Sequence, residues 1–511
     1  MLLVHRSVRL QPDRDPIAGG NSTNADYRLT VVSIGRRAFL VSAAVLPFAP
    51  RRRTDPLRRF RDRFTGSIIV PGDAEYDSAR AVVSLNPRTD KRPRLIARCA
   101  NADDVARALE FGREQSLEIA VRGGGHDLLG ASACDGGIVI DLSPMKAIRI
   151  DPSRRRARVE AGARSRDLNG PAEAHGLVAA LGCHPGVGIA GLTLGGGLGW
   201  FLGRFGAASD NLRAAHVITA DGNRRLARAD ENADLFWALR GGGGNFGIVT
   251  ELELKLHVAG PVVGGPIAFR TDVRSFLRFH RDFLHAAPDP LVAEATIVIA
   301  DQPVILCMVC WSGEPSEGER ALAPLRAYGP PVADAIHAVG YAHLTDRLSA
   351  DFSTRAFGPP SGGAGPVVPT FDYWKGGSLD QLTDQAIDQI VTIVQTASRG
   401  MSLGLGHYMH GHVCRVLGAE TCLPRKEGQL TYFIDANWRD AARTEAAMDW
   451  VDRSWEAMQP HSSRSTYVNY LSRDDDEGVR AAYQSNMQRL VAVKRRYDPS
   501  NVFHLNRNVR P

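Results

Sequence analysis

Val121-Arg122-Gly123-Gly124-Gly125-His126 follows a short apolar run, Leu117–Val121, that reads as a β-strand. Three consecutive glycines carry no Cβ atoms, so the N–H groups at the end of that strand can close on a phosphate at contact distance. His126 then stands at the mouth of the cradle with a nucleophilic imidazole, which points to a nucleotide held, and covalently tethered, at this histidine. Two further glycine runs, Gly195–Gly197 and Gly241–Gly244, follow or interrupt regular elements in the same half of the chain. One such run is an ordinary turn signal, whereas three argue for a large ligand with several close backbone approaches, such as a dinucleotide. None fits G-x-x-x-x-G-K-[ST], and none opens a strand–helix unit with G-x-G-x-x-G spacing, which excludes a P-loop and an NAD-type Rossmann site.

Outward from this loop the pattern is regular. Leu95–Cys99 predicts a strand, Asn101 caps a helix running to about Gln115, and 137–142 predicts another strand. Ile148–Ile150 and Ala157–Glu160 flank the turn Asp151-Pro152-Ser153 as a hairpin, a device repeated at Val217–Ala220 and Arg225–Ala227. Ala233–Arg240 reads as a short helix, and Leu252, Leu254 and Leu256 alternate with charged residues as a strand with one wet face. From about Pro261 to His461 the glycine runs stop, and apolar strands alternate with amphipathic helices, one over Asp380–Ala397. Gly358–Gly363 reads as an exposed loop there. Near the end, Val479, Tyr483, Met487, Leu490 and Lys494 share one helix face, and Tyr497-Asp498-Pro499 terminates that helix.

A chain of 511 residues divides into two or three domains, and its 44% apolar and 23% charged composition is that of a globular protein. The net charge of +6 does not signal nucleic acid, because the excess is local. Residues 1–63 hold 13 Arg and 5 Asp, leaving 49 basic against 51 acidic residues in the rest. Seven scattered cysteines do not form a disulfide scaffold. Cys307 and Cys310 lie in an apolar strand pattern, where residues three apart point to opposite faces, so they read as core and no metal site is expected. No apolar stretch is long enough to span a membrane. Gly35-Arg36-Arg37-Ala38-Phe39-Leu40 with the apolar stretch to Pro50 is similar to a Tat export signal, which predicts a periplasmic or extracellular protein.

Arg122–His126, Gly188-Ile-Ala-Gly-Leu-Thr-Leu-Gly-Gly-Gly-Leu-Gly-Trp200, Asp210-Asn211-Leu212 and Asp234-Leu-Phe-Trp-Ala-Leu-Arg-Gly-Gly-Gly-Gly-Asn-Phe-Gly-Ile-Val249 together resemble the PCMH-type FAD domain of the vanillyl-alcohol-oxidase superfamily. Tyr467-Val-Asn-Tyr470, Tyr497-Asp-Pro-Ser-Asn-Val-Phe-His-Leu-Asn506 and Asp372-Tyr-Trp-Lys375 narrow the resemblance to its berberine-bridge-enzyme-like branch, over roughly residues 57–511. The resemblance implies an α+β fold: a basic tail at 1–56, a two-part FAD domain at 57–258, a substrate domain with an antiparallel sheet at 259–462, and a segment at 463–511 returning to the FAD domain.

It also implies FAD on the glycine loops, with Arg122, Gly123, Gly124, Gly125, Gly188, Gly191, Gly195, Gly196, Asn245, Gly247, Ile248 and Asn469 around it. The resemblance further implies a bond from the flavin 8α-methyl group to His126. Relatives add a second tether from a cysteine three residues before the Val-Gly pair. Here alignment on Val187-Gly188 puts His184 at that place, with Cys183 one residue earlier and turned to the opposite face. The flavin is therefore expected to hang from His126 alone, with Cys183 packed beside it. Val187 matches a small residue that accompanies oxygen access. The implied reaction removes a hydroxyl or amine proton from a small-molecule alcohol, sugar or amine while hydride passes to flavin N5, and O2 reoxidises the flavin to give H2O2. Tyr470 is the expected base, with Tyr467 beside it. A phenol with its pKa near 10 needs a lowering charge to serve near neutrality, which Lys375 could supply. Tyr373, Trp374 and His410 are candidate pocket residues. The rivals are a dehydrogenase with another acceptor and a flavin-binding protein without turnover.

Overall fold

The computed structural model describes residues 55–347, 371–472 and 476–511. The Arg36-Arg37 segment and the Gly358–Gly363 loop lie outside the described residues. Among the described residues the strands form three sheets. In the first, β1 (Ser67–Ile69), β2 (Leu95–Arg98), β3 (Ile119–Arg122) and β4 (Ile138–Asp141) take the order β1-β2-β4-β3. β2, β4 and β3 run parallel, and β1 pairs antiparallel with β2. The helix Ala102–Glu114 connects β2 to β3, capped as expected by the Asn101 side chain, which accepts from the N–H groups of Asp103 and Asp104. Parallel strands need such a crossover, and this one delivers β3 straight into the Gly123–His126 loop.

The second sheet contains β5 (Ile148–Asp151), β6 (Arg156–Glu160), β7 (Leu177–Ala179), β8 (Leu212–Ile218), β9 (Arg224–Arg228) and β10 (Ile248–Val258). Both predicted hairpins are present, and β10 forms the spine, pairing β6, β7 and β8. Leu252, Leu254 and Leu256 are buried on its inner face, as the alternation requires.

The third sheet is antiparallel throughout, in the order β14-β11-β13-β12-β17-β18-β16, with β15 also on β11. Its strands are β11 (Val262–Phe269), β12 (Leu291–Ile299), β13 (Pro303–Trp311), β14 (Ala333–Asp334), β15 (His337–Val339), β16 (Phe371–Leu379), β17 (Met401–Tyr408) and β18 (Leu430–Trp438). One face packs a core with the helices Val273–His285, Asp384–Thr396 and Thr444–Met458. Cys307 joins that core while Cys310 joins a separate cluster with Trp200 and Tyr341. Strand alternation thus separates the two thiols, as expected.

Two helices differ from expectation. The Asp380–Ala397 helix begins only at Asp384, because the Thr383 side chain accepts from the N–H of Ala386 and fixes the start. The C-terminal helix is two helices, Asp476–Tyr483 and Met487–Tyr497, separated by a 3₁₀ turn at Gln484–Asn486 with Gln484 at φ +49°. The shared face survives the break: Val479, Tyr483, Leu490 and Lys494 are buried. Lys494 Nζ donates to Asp498 (2.7 Å) and to the carbonyls of Asn245 (2.8 Å) and Phe503 (2.7 Å), clasping the last residues onto the second sheet's loops. Both side chains of that pair are fully buried, so each cancels a charge the other could not leave unpaired. No helix of the described residues is long and apolar enough to cross a membrane.

Candidate active site

A cavity of about 800 Å³ opens between the glycine loops and the free face of the third sheet, within the range of small-molecule and cofactor sites. Gly123, Gly124, Gly125 and His126 line one end, with Val187, Gly188, Gly191 and Gly247 opposite. A Cβ on Gly124 would stand 2.4 Å from the Gly188 nitrogen, and one on Gly188 2.5 Å from the Gly124 nitrogen. The two loops therefore touch backbone to backbone, which only glycine permits. Gly125 adds a positive φ of +70°. Arg164, paired in a β-bridge with Gly188, and Arg166 bring positive charge to this end.

His126 is neutral near pH 7. Burial, reinforced by His184 and Arg164, pushes its pKa down to about 4. Its imidazole is thus a free-base nucleophile at the cavity wall. The His184 ring lies 5.5 Å away, and its Nδ1 accepts from the N–H of Gly186 (3.0 Å).

Several residues expected on the cofactor serve it from behind. Arg122 does not line the cavity; it is buried in an ion pair with Asp141 on the neighbouring strand (3.1 Å). Gly195 leaves room for Asn469, whose Oδ1 would stand 2.0 Å from a Cβ there, and Gly196 faces Leu423 and Tyr467. Asn245 is likewise behind the wall. Its amide holds the carbonyls of Gly242, Asn506 and Arg507 and accepts from the N–H of Val509, binding the C-terminal segment. Ile248 is buried core beside Gly247. These residues fix loop shape, a role that residue type alone does not separate from ligand contact.

The C-terminal tyrosines come to the centre. Tyr467, Asn469 and Tyr470 all line the cavity. The Tyr467 hydroxyl accepts from the Gly197 N–H (2.9 Å) and the Asn469 amide (2.8 Å), which locks it to the second glycine run. Tyr470 makes edge contacts with Trp374 (5.2 Å) and Tyr467 (5.3 Å). Gly376 admits it, since a Cβ there would crowd the Tyr470 Cβ at 3.1 Å.

The expected lowering of the Tyr470 pKa is reversed. Burial raises it well above 10, and the Glu294 carboxylate beside it raises it further. Lys375 offers no relief. In β16 the even positions Asp372 and Trp374 line the cavity, so Lys375 falls on the other face, where its Nζ pairs with Asp452 (2.7 Å) and lies over the Trp455 ring. Tyr373 also turns away, donating to Asp452 (2.8 Å), and His410 packs against Gly203 outside the cavity.

The sheet face adds Asp435, Glu294 and His407, which the sequence reading missed, to Asp372 and Cys183. Asp372 on β16 and Asp435 on β18 are hydrogen-bonded to one another beside Trp374, Phe433 and Asn437, and burial raises both carboxyls. Two carboxylates so close do not readily both ionise, and the geometry lets them share a proton. At the other side of Tyr470, Cys183, Glu294 and His407 converge. Cys183 Sγ lies 3.5 Å from Glu294 Oε1 and 3.6 Å from His407 Nε2, and that Nε2 lies 3.5 Å from Glu294 Oε1. The available signal was a carboxylate inside an apolar strand run, as in Leu291-Val-Ala-Glu294-Ala and Phe433-Ile-Asp435-Ala.

Fold, cavity and paired glycine loops define a flavoprotein architecture, and comparison with known proteins agrees. Residues 93–227 match the FAD binding domain family, and residues 466–510 match the berberine and berberine-like family. The chain is 30% identical over 469 residues to (R)-6-hydroxynicotine oxidase of Paenarthrobacter nicotinovorans, covering 87% of this chain and 97% of that protein. An uncharacterized FAD-linked oxidoreductase of Bacillus subtilis (strain 168) is 27% identical, with 88% and 98% covered. Among solved structures, 6-hydroxy-D-nicotine oxidase from Arthrobacter nicotinovorans superposes with a TM-score of 0.79 at 30% identity, covering 88% and 98%. A chitooligosaccharide oxidase shares the fold at 21% identity and a TM-score of 0.77, over 89% and 100%. This chain belongs to the berberine-bridge-enzyme-like family of FAD-linked oxidoreductases. The α+β fold and the FAD-enzyme class expected from the motifs stand.

Proposed function

We propose that this enzyme is an FAD-dependent amine oxidase: a small cationic amine loses two hydrogens to O2, giving an imine and H2O2. The observation that carries the reading is the Asp372–Asp435 pair on the sheet face of the cavity. A buried pair of carboxyls able to share a proton suits a protonated amine, whose charge offsets the cost of burying a carboxylate. An ammonium also gives up its proton to a carboxylate far more readily than an alcohol does. An alcohol's acidity is near that of water, at a pKa of about 15.7, and demands a strong base. Tyr470, held protonated by its surroundings, is not that base. The amine oxidised by the 30% identical relative supports the same choice.

The cavity fits FAD. Its glycine wall is made where Gly124 and Gly188 meet too closely to admit a Cβ on either, and the neutral His126 beside it suits a covalent link to the flavin methyl group. Bound there, FAD supplies the acceptor for the hydride leaving the carbon next to the amine nitrogen. The chain's own residues do the rest. The carboxyl pair anchors the ammonium and takes its proton. The Tyr467 and Tyr470 hydroxyls, kept protonated, donate hydrogen bonds to the substrate, and Trp374 and Phe433 exclude water. The proposed division, 57–258 with 463–511 around a substrate domain at 259–462, sets the cavity at their junction. The Arg36-Arg37 segment supports export.

A substrate panel under air tests the reading. Cyclic and secondary amines are expected to give one H2O2 per amine consumed, with sugars and simple alcohols silent. Peroxide from sugars alone would overturn the amine assignment. Rapid dye reduction without peroxide would make the enzyme a dehydrogenase, and silence across the whole panel would favour a protein without turnover.

A further inference from the structure

We infer that Cys183, Glu294 and His407 form a zinc site in the wall of the cavity. The three ligand atoms stand 3.5, 3.5 and 3.6 Å apart. For a hydrogen bond the imidazole–carboxylate distance is too long, since N–H···O bonds run at about 2.7–3.2 Å. For a metal site all three are the right length: with S at about 2.3 Å and N and O at about 2.0–2.2 Å from a tetrahedral zinc, neighbouring ligands lie roughly 3.3–3.6 Å apart. One ion at the centre would satisfy all three at once.

Charge leads to the same place. Glu294 and His407 are buried, at 7% and 5% exposure. Among the described residues no lysine or arginine pairs with Glu294; its polar neighbours are the Cys183 thiol and the His407 ring. A buried carboxylate without a counter-cation is costly. A thiolate, a carboxylate and a neutral imidazole around a divalent cation sum to zero charge, and binding releases the thiol proton to solvent. Three independent elements supply the ligands: the 180–188 segment, β12 and β17. Each is held in place without the ion. The Trp200 Nε1 donates to the Cys183 carbonyl (3.3 Å), and the His407 N–H donates to Thr431 Oγ1 (2.8 Å).

Cys183 and His407 also line the cavity, so a three-ligand zinc there presents its fourth position to the substrate space beside Tyr470. Three protein ligands with an open position mark a catalytic rather than a structural type of zinc site. The ion would tie the segment carrying His184 and Val187 to the sheet carrying the carboxyl pair.

The test uses flavin-loaded protein, treated with chelator, equilibrated with zinc sulfate and desalted. Elemental analysis is expected to find about one zinc per chain, and X-ray absorption about one sulfur at 2.3 Å with N or O near 2.0–2.1 Å. Cys183→Ser, Glu294→Gln and His407→Gln each reduce zinc retention at least about tenfold, while flavin absorbance per chain, read in parallel, reports whether the variant is folded and loaded. Wild-type protein that retains no zinc, a zinc spectrum without sulfur, or retention that survives Cys183→Ser with flavin intact overturns the site. A hydrogen-bonded trio alone gives the first of these results.

Discussion

The two ends of the cavity are built by opposite means. The cofactor end is backbone: crossing glycine loops, positive φ and one neutral imidazole, with Arg164 and Arg166 nearby. The substrate end is side chain: Asp372, Asp435, Glu294 and His407 projecting from four strands of one antiparallel sheet, with no arginine or lysine lining it among the described residues. A backbone wall suits an invariant ligand whose phosphates need N–H groups, and it changes only at the expense of the fold. A wall of strand side chains can be rewritten residue by residue, so the choice of substrate resides there.

The comparison can be broken at several points. The largest effect is expected behind the cofactor end, at the Lys494–Asp498 clasp. Asp498→Asn leaves a buried ammonium without its counter-charge and is expected to cost about 3–5 kcal/mol in urea unfolding. A cost under 1 kcal/mol would show that the clasp is not what holds the C-terminal segment. Next comes Gly124→Ala, whose methyl meets the Gly188 backbone; about 1–3 kcal/mol of destabilisation and loss of bound flavin are expected. Normal flavin content in this variant would refute the crossed-loop account.

At the substrate end, Asp435→Asn removes one of the paired carboxyls. It should raise KM for amines by about 10–100-fold, the scale of one charge-assisted interaction, while leaving flavin content unchanged. An equal loss for neutral and cationic substrates would mean the pair serves structure and not recognition. Lys375→Met should matter least, changing kcat by under about twofold, because its ammonium faces Asp452 on the other side of β16. A large fall in kcat with a shifted pH profile would restore Lys375 to the site.

His126 gives a pH prediction of definite sign. Its folded pKa, about 4, lies below the ordinary 6.5, so the unfolded chain binds the proton more readily. The apoprotein therefore loses stability as pH falls from about 6.5 toward 4. Flavin coupling by the apoprotein should stay level down to about pH 5 and fall only near 4. A midpoint near 6.5 would mean that the histidine is exposed when it reacts.

Much of the cofactor end was legible in the sequence, because a glycine run states its own backbone purpose. The Asn101 cap and the two hairpins rest on contacts close in sequence, and the apolar run of β3 leads directly into the loop carrying His126. The substrate end was largely illegible. Glu294 and His407 are more than a hundred residues apart and meet only through the pairing of β12 with β17, which no local pattern encodes. The Asp372-Tyr373-Trp374-Lys375 stretch was recognised, yet its alternation decides function: the even residues face the cavity, and the odd ones support Asp452. Tyr470 is the same case: Lys375 is near in the sequence motif but faces away, whereas burial and Glu294 on β12 raise the phenol's pKa.

On the reading proposed above, a cationic amine held on the carboxyl wall reduces a flavin bound at the backbone wall. Anaerobic mixing of the flavin-loaded enzyme with an amine panel, followed by bleaching of the visible flavin band, tests it directly. The account predicts complete bleaching by amines, slowed in Asp435→Asn, and no bleaching by sugars or simple alcohols. Bleaching by sugars with amines inert would contradict it.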